Sequence, residues 1–241
     1  QSQNYSVDGG VTWFSAGVLP STCCDPAMEW SADGTVAYAA TLPSSGGLRA
    51  GLFRSTNGGQ SWGSVILVST GGSDKEWIHV DKSPSSPYLE NVYLTWHQGN
   101  VMFFSRSTDK GVTWSTPISF SSAARGIGSD ITTDAAGNIY YIWPSSQAAT
   151  ANIYMVKSTD GGLTFGAPVI VQPLFDVFDF PIPSMESRRA FIYIAADTDR
   201  SGGPNDGRIY AAYTALHPSS GGTTATNHAW IQVAYSDDGG A

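Results

Sequence analysis

An eight-residue motif that recurs along the chain constrains the fold more than any other feature of the sequence. Its first copy, Ser6–Trp13, reads Ser-Val-Asp-Gly-Gly-Val-Thr-Trp, and further copies begin at Ser55, Ser107, Ser158 and Ser236. Successive copies start every ~50 residues until the last, which follows a longer interval, and a period of this size is typical of folds built from repeated units. The chain is therefore predicted to contain about four repeats, the last of which carries an insertion.

The motif has the composition of a tight hairpin turn. Its third residue is an aspartate or asparagine, whose short side chain accepts hydrogen bonds from nearby backbone amides, and the glycine that follows adopts the positive φ that such turns require. Equivalent turns spread along the chain cannot meet at one active site. We therefore assign a structural role to the third residue of every copy: Asp8, Asn57, Asp109, Asp160 and Asp238.

The segments between the motif copies have the alternating pattern of β-strands, as in Thr35–Thr41 and Asn138–Trp143. In the first full repeat we predict four strands, at about Asp25–Trp30, Thr35–Thr41, Leu48–Ser55 and Trp62–Ser69. Four short antiparallel strands joined by tight turns are typical of a propeller blade. No segment has the period of a capped helix, and the predicted fold class is all-β.

The motif resembles the Asp-box, the bacterial neuraminidase repeat of the sialidase-like β-propellers. Two flanking phrases, Cys23–Pro26 and Asp74–Asp81, resemble a secreted bacterial branch of that family. The resemblance covers nearly the whole chain and implies a secreted propeller that hydrolyses or binds glycans. It implies the fold more specifically than the activity, because one fold hosts many functions.

The expected domain is a single sialidase-like β-propeller over 1–241, with four-stranded antiparallel blades and Asp-box hairpin turns. Its blade units cover about 19–69, 70–121, 122–171 and 172–241, and 1–18 is the end of a preceding blade. Propellers of the family have about six or seven blades, and four repeats alone would leave open sheet edges. We therefore expect part of a larger propeller, completed by other segments or other chains.

Charge and composition narrow the possible partners. The chain has 12 Lys and Arg against 20 Asp and Glu, so it lacks the clustered basic residues that a nucleic-acid partner requires. No apolar run approaches the ~20 residues of a bilayer-spanning helix, and no N-terminal signal peptide is visible. The few lysines and the many small polar and aromatic residues fit a secreted, extracellular protein.

The two cysteines, Cys23 and Cys24, are adjacent and cannot build a disulfide framework. Three states remain open. They form a ring with each other, they pair with another chain or segment, or they stay free thiols.

Blade topology predicts which polar residues meet. The Asp-box turns lie at one end of the blades, and the crossings between blades lie at the other end, where sites in the family occur. There we place the candidate catalytic carboxylates and the candidate substrate-binding residues, since a glycosidase needs two carboxylates about 5–10 Å apart. The carboxylates are Asp25, Asp74, Glu76 and Asp179, the substrate-binding residues are Arg125, His97, His228 and Trp77, and the same end also collects Lys75, Asp176 and His217.

A sialidase would need more than two carboxylates. The resemblance implies three arginines that clamp the substrate carboxylate, a tyrosine assisted by a glutamate as nucleophile, and an Arg-Ile-Pro phrase that supplies the first arginine. The chain instead has Phe180–Pro183, which contains no arginine, and Arg125 alone is well placed as an anion anchor. The residues therefore favour a general glycoside hydrolase or a glycan-binding protein. The alternative is a non-catalytic propeller that scaffolds an extracellular protein assembly.

No cofactor is predicted. A calcium candidate is the cluster of oxygen ligands among glycines at Asp197, Asp199, Asn205 and Asp206. Its spacing differs from that of the twelve-residue calcium loop, so an Asp-rich turn is the favoured interpretation.

Overall fold

The computed structural model describes residues 1–120, 125–146, 151–174, 178–185 and 188–240. These residues form 19 strands, and no helix, membrane-spanning or otherwise, occurs among them. The chain divides into two compact units. The first comprises Gln1–Gly99 and Phe103–Ser119, and the second comprises Asn100–Met102 and Phe120–Ala241.

The first unit contains a two-stranded hairpin and two four-stranded antiparallel sheets. The strands of each sheet are hydrogen-bonded in chain order, which is the meander of a propeller blade. The hairpin pairs β1 (Ser2–Tyr5) with β2 (Phe14–Val18). The first sheet consists of β3 (Ala27–Trp30), β4 (Ala37–Thr41), β5 (Gly51–Ser55) and β6 (Ile66–Leu67). The second sheet consists of β7 (Ser73–Val80), β8 (Val92–Gln98), β9 (Val101–Ser107) and β10 (Ile118–Ser119).

The second unit contains a four-stranded sheet, a two-stranded pair and a three-stranded sheet, all antiparallel. Their strands are β11 (Asp130–Thr133), β12 (Ile139–Pro144), β13 (Asn152–Ser158) and β14 (Val169–Pro173), then β15 (Asp179–Phe180) and β16 (Ala190–Phe191), and finally β17 (Ile194–Thr198), β18 (Ile209–Leu216) and β19 (Ala229–Ser236).

The prediction of an all-β propeller with four-stranded antiparallel blades is confirmed. In the first repeat all four predicted strands form, although the last is reduced to β6. The last unit, 172–241, departs from the expected four strands, because β15 and β16 form a separate pair and β17–β19 form a three-stranded sheet. Strand β15 ends at Phe180 because Pro181 and Pro183 follow, and proline has no N–H to donate to a ladder.

The second strand of each complete sheet lies deepest. Strands β4, β8 and β12 are buried at nearly every residue, which requires cover on both faces of the sheet. In the first unit the core includes Tyr38, Leu52, Leu94 and Trp96. Each large apolar side chain removed from water contributes about 1.5–3 kcal/mol, so the packing of sheet faces accounts for most of the stabilisation.

The motif turns have the hydrogen bonds that their composition suggests. In the first copy the amide of Thr12 donates to Asp8 Oδ1 over 2.8 Å, its hydroxyl donates to Asp8 Oδ2 over 2.6 Å, and Ser6 Oγ donates to Oδ1 over 2.8 Å. The hydroxyl of Thr12, followed by its amide, lowers the pKa of Asp8 to about 2. The carboxylate of this turn is therefore fully used by its own loop.

The same arrangement recurs in the later copies. The amides of Thr113 and Thr164 donate to Asp109 and Asp160 over 2.8 and 2.9 Å. In the second copy Asn57 accepts from the amide of Ser61 over 3.0 Å, so an amide side chain replaces the carboxylate. In the fifth copy Asp238 Oδ1 accepts from Ser236 Oγ over 2.5 Å and from the amide of Gly240 over 3.2 Å.

Candidate functional site

The ends of β3 and β7 farthest from the motif turns bring several predicted site residues of the first unit together. Asp25 precedes β3, Asp74 and Glu76 lie in β7, and His97 lies in β8 opposite Asp74. The pairing of β7 with β8 shifts register between Asp74 and Trp77, which marks a β-bulge or similar irregularity. Bulges re-aim side chains and are common beside active sites. We call Asp25, Asp74, Glu76 and His97, together with Lys75, the carboxylate cluster.

Asp25 and Lys75 are joined by an ion pair. Lys75 Nζ lies 2.8 Å from Asp25 Oδ2, and both side chains are about 30% exposed. Both residues have positive φ, 54° for Asp25 and 52° for Lys75. Such a backbone costs of order 1–3 kcal/mol for a residue with a side chain, and strained residues concentrate at functional sites. The two residues that form the ion pair are therefore also the two whose backbones are strained.

Glu76 is the most unusual group in the cluster. Glu76 is 3% exposed, and neither of its carboxyl oxygens has a hydrogen-bond partner in another described residue. Burial away from water raises the pKa of Glu76 to about 9, and the charges of Asp25 and Asp74 act in the same direction. Glu76 is therefore a neutral carboxylic acid at pH 7, which can donate a proton.

His97 is buried beside the cluster. His97 is 6% exposed, and neither of its ring nitrogens has a hydrogen-bond partner among the described residues. Its Nε2 lies 3.7 Å from Asp74 Oδ2, whose side chain is 43% exposed. Burial lowers the pKa of His97, against the opposing effect of Asp74, so the imidazole is neutral at pH 7. Asp74 is thus the most exposed carboxylate of the cluster.

Cys23 and Cys24 form a disulfide with each other, which selects one of the three states left open by the sequence. The segment is also tied to the first sheet, since the amide of Cys23 donates to the carbonyl of Leu42 over 3.0 Å and Thr41 Oγ1 donates to the carbonyl of Cys24 over 3.1 Å. Asp25 directly follows this ring. The disulfide and these two hydrogen bonds therefore fix the backbone that leads into Asp25.

Trp77 has a different environment from Glu76. Neighbouring residues of a strand point to opposite faces, and the Trp77 side chain is exposed where Glu76 is buried. Its indole is therefore accessible to a ligand on the other face of β7, and it is not part of the carboxylate cluster.

The remaining predicted site residues belong to the second unit. Asp179 Oδ1 lies 3.8 Å from Arg189 Nη1, and both side chains are largely exposed. Arg125 is half-buried, and its carbonyl accepts from the amide of Ser146 over 3.0 Å. The ring of His228 stacks on that of His217 with centroids 4.6 Å apart. Asp176 lies outside the described residues.

Asp130 was not predicted from the sequence as a site residue. It is buried at the start of β11, and its Oδ2 accepts from the amide of Ala196 over 2.8 Å. Burial raises its pKa to about 6. The sequence signal is the dipeptide Ser129–Asp130, which repeats Ser73–Asp74 at the start of another blade's first strand. Unlike Glu76, Asp130 has partners for its carboxylate.

Three carboxylates of the calcium candidate bond groups of their own loop. Asp197 Oδ1 is 2.7 Å from Arg200 Nη2, and Asp199 and Asp206 accept from the amides of Ser201 and Gly202 over 2.9 Å each. Asn205 accepts through its backbone carbonyl from the amide of Arg208. No group of three or more His, Cys, Asp or Glu residues suited to a metal ion occurs in the described part of the chain.

A groove of about 310 Å³ lies elsewhere, within the second unit. Apolar side chains from five strands line it, among them Ile142, Met155, Val171, Ala211 and Ala234. Its carboxylates, Asp237 and Asp238, belong to the fifth motif copy, where Asp237 pairs with Arg208. The groove therefore offers an apolar surface and does not contain the carboxylate cluster.

Comparison with known proteins identifies relatives by fold only. No protein-family model matches the chain, and no curated protein is similar to it in sequence. Three solved structures are similar over most of the chain. A protein of unknown function from Dyadobacter fermentans has a TM-score of 0.59 and 15% identity, and the match covers 95% of this chain and 67% of that one. An alpha-L-arabinanase of Penicillium chrysogenum in complex with arabinobiose has a TM-score of 0.58 and 15% identity, with coverage of 99% and 68%. The Hadza microbial sialidase Hz136 has a TM-score of 0.56 and 14% identity, with coverage of 89% and 44%.

The chain has the fold of β-propeller glycoside hydrolases. It spans about two thirds of the length of the arabinanase and less than half of that of the sialidase. At these identities the similarity concerns the fold, and function has to be argued from the site itself.

Proposed function

We propose that the protein is an extracellular glycoside hydrolase whose catalytic groups belong to the carboxylate cluster, and that its repeated turns make it an Asp-box propeller. Glu76 carries the proposal. A buried acid without a partner is costly to fold, and such groups persist mainly where they serve a function. The similarity to arabinanase and sialidase structures supports the same reaction class.

The two kinds of carboxyl in the cluster suit the two roles of glycoside hydrolysis. Environments that separate the pKa values of neighbouring carboxyls mark the acid and its partner. Glu76, protonated at pH 7, gives its proton to the glycosidic oxygen as the bond to the anomeric carbon breaks. Asp74, the exposed carboxylate, either attacks the anomeric carbon or takes a proton from the water that does so. One water is consumed, and the sugar leaves with a new hydroxyl.

The backbone amide of Lys75 donates to Asp74 Oδ1 over 3.0 Å and so positions that carboxylate. Lys75 holds Asp25 by the ion pair, and the Cys23–Cys24 ring fixes the backbone before it. Because the Glu76 carboxyl is covered, its side chain must turn toward the bound glycan for the proton to be transferred. The disulfide also supports an extracellular location, since disulfides persist in oxidising compartments.

A sialidase activity has less support from the residues. Clamping a sugar carboxylate requires several arginines, whereas the basic side chain that forms an ion pair in the cluster is Lys75, which is already bonded to Asp25. We therefore propose the general class and not the exo-sialidase that the motif resembles.

The test is hydrolysis of a panel of chromogenic glycosides and of arabinan by the wild type, by Glu76→Gln and by Asp74→Asn. We expect each variant to lose at least ~100-fold in kcat, because general acid–base groups contribute about 10²–10⁴-fold. Asp160→Asn is the matched control, since it makes the same chemical change in a motif turn where Asn57 shows that asparagine is accepted.

Neither site variant should melt more than a few degrees below the wild type, so that a loss of activity cannot be attributed to unfolding. Turnover by Glu76→Gln at the wild-type rate would overturn the assignment. Glycan binding without turnover by the wild type would replace hydrolase with glycan-binding protein.

A further inference from the structure

We infer that the carboxylate cluster selects sugars that carry no carboxylate, so that neutral pentoses and hexoses or amino sugars bind and uronic and sialic acids are rejected. The inference rests on the proposed function and adds the class of sugar. It is argued from the charges that the cluster presents to a ligand.

The cluster has one cation, and that cation is already used. Lys75 Nζ lies 2.8 Å from Asp25 Oδ2, so a second carboxylate arriving with a sugar would have to compete with Asp25 for it. A carboxylate ligand is bound well by the planar fork of arginine, which gives two parallel hydrogen bonds, and an ammonium offers only a point charge. The ion pair therefore removes the natural anchor for an acidic sugar.

Two of the three arginines of the first unit lie at the motif-turn ends of their strands, and the third bonds its own loop. Arg49 Nη2 donates to the carbonyl of Gly46 over 3.4 Å, in the loop between β4 and β5. Arg54 lies in β5 beside Trp62 in the second motif copy, and Arg106 lies in β9 just before the third copy. These two side chains belong to the motif-turn ends of their strands, away from the start of β7.

The exposed charge of the cluster is negative. Asp74 presents its carboxylate to solvent, while Glu76 and His97 are neutral and buried. A sugar hydroxyl or ammonium can donate a hydrogen bond to Asp74, but a sugar carboxylate beside it meets like charge. Like charges brought together at a binding surface repel each other, and binding sites exclude unwanted partners in this way.

The buried neutral groups lead to the same class of ligand. The unpartnered carboxyl of Glu76 and imidazole of His97 can each donate and accept hydrogen bonds, as sugar hydroxyls can. Hydroxyl groups satisfy such neutral partners without bringing a charge into a buried site, whereas a carboxylate would have to lose its hydration there. The site thus matches polyhydroxylated, uncharged surfaces.

The experiment is ligand-observed NMR titration of the full chain with matched sugars that differ in one group. The methyl glycosides of galactose and glucose are compared with those of galacturonic and glucuronic acid, and arabinobiose and N-acetylneuraminic acid are added. We expect each neutral sugar to bind at least ~10-fold more tightly than its acid at low salt. The ratio should shrink near 0.5 M salt, where the screening length falls to a few Å.

Asp74→Asn sharpens the test because it removes the exposed charge and keeps the shape. We expect it to narrow the ratio of the two affinities, while Asp160→Asn leaves the ratio unchanged. If acidic sugars bind as tightly as their neutral counterparts, the inference fails and the glycan-binding role stands. If no sugar in the panel binds, the proposed function fails, and the inference with it.

Discussion

The first unit holds its carboxyl groups in two opposite ways. In the third motif copy the oxygens of Asp109 accept from the amides of Val112 and Thr113 and from the hydroxyls of Ser107 and Thr113. In the carboxylate cluster the oxygens of Glu76 accept from no other described residue. The pKa of Asp109 is lowered to about 2 in spite of some burial, and burial raises that of Glu76 to about 9.

The contrast separates acids that stabilise the fold from acids that are available for chemistry. An acid whose oxygens are all used by its own turn gains stability and has nothing left for a ligand. An acid buried without partners destabilises the fold and keeps its proton. Acids of the first kind recur with the motif turn, whereas among the described residues the second kind is represented by Glu76.

The largest effect expected from this contrast is on the pH dependence of stability. The folded protein holds a proton on Glu76 between about pH 5 and pH 9, where the unfolded chain has released it. Stability should therefore fall as pH rises through this range, by up to ~1.4 kcal/mol per pH unit. Glu76→Gln cannot release a proton, and its stability should decline less.

Urea unfolding of both proteins at several pH values measures this difference. The free energies of unfolding should diverge as pH rises, so that the stability of Glu76→Gln relative to the wild type increases at each step toward pH 9. Parallel curves would mean that Glu76 titrates near its usual value, and the contrast with the motif aspartates would disappear.

A smaller effect is expected at the motif turns. Asp160 accepts from the amides of Leu163 and Thr164 and from the hydroxyls of Ser158 and Thr164. Asp160→Ala leaves these donors without their partner and should cost about 1–2 kcal/mol. Asp160→Asn keeps Oδ1 as an acceptor, as Asn57 does in the second copy, and should cost less than half as much.

Thermal melts of the two variants decide this point. An alanine variant that melts with the wild type would show that the turn carboxylate contributes nothing. An asparagine variant as unstable as the alanine variant would show that the charge matters more than the acceptor.

The fold could be predicted from the sequence because its determinants are local. Asp8 and Thr12, which are four residues apart, define a turn by themselves, and the alternation of Thr35–Thr41 defines a strand. The division of the last repeat could not be predicted, because nothing in its composition indicated where β15 would separate from β17.

The candidate site could be predicted only as a set of residues at one end of the blades. Asp25 and Lys75 are 50 positions apart, and their ion pair depends on how two sheets approach. Glu76 is buried in the irregular stretch of pairing between Asp74 and Trp77, and no spacing of residues reveals either feature. Properties that arise from non-local packing therefore needed the structure.

The smallest expected effect concerns the two lysines with positive φ. Lys110 takes the motif position that is glycine in the other four copies, with φ of 57°. Its Nζ bonds Asp33 and lies 3.7 Å from Glu90, so an ion pair offsets its backbone strain just as Asp25 does for Lys75. Lys110→Ala loses the ion pair and keeps the strain, whereas Lys110→Gly loses both.

The glycine variant should therefore melt above the alanine variant at position 110, and the same order should hold between Lys75→Gly and Lys75→Ala. Activity should separate the two positions. Both variants at Lys110 should hydrolyse glycosides at the wild-type rate, while both variants at Lys75 should be impaired, since Asp25 loses its partner. Equal activity in all four would mean that the strained ion pair of the carboxylate cluster is structural, like the one beside the motif turn.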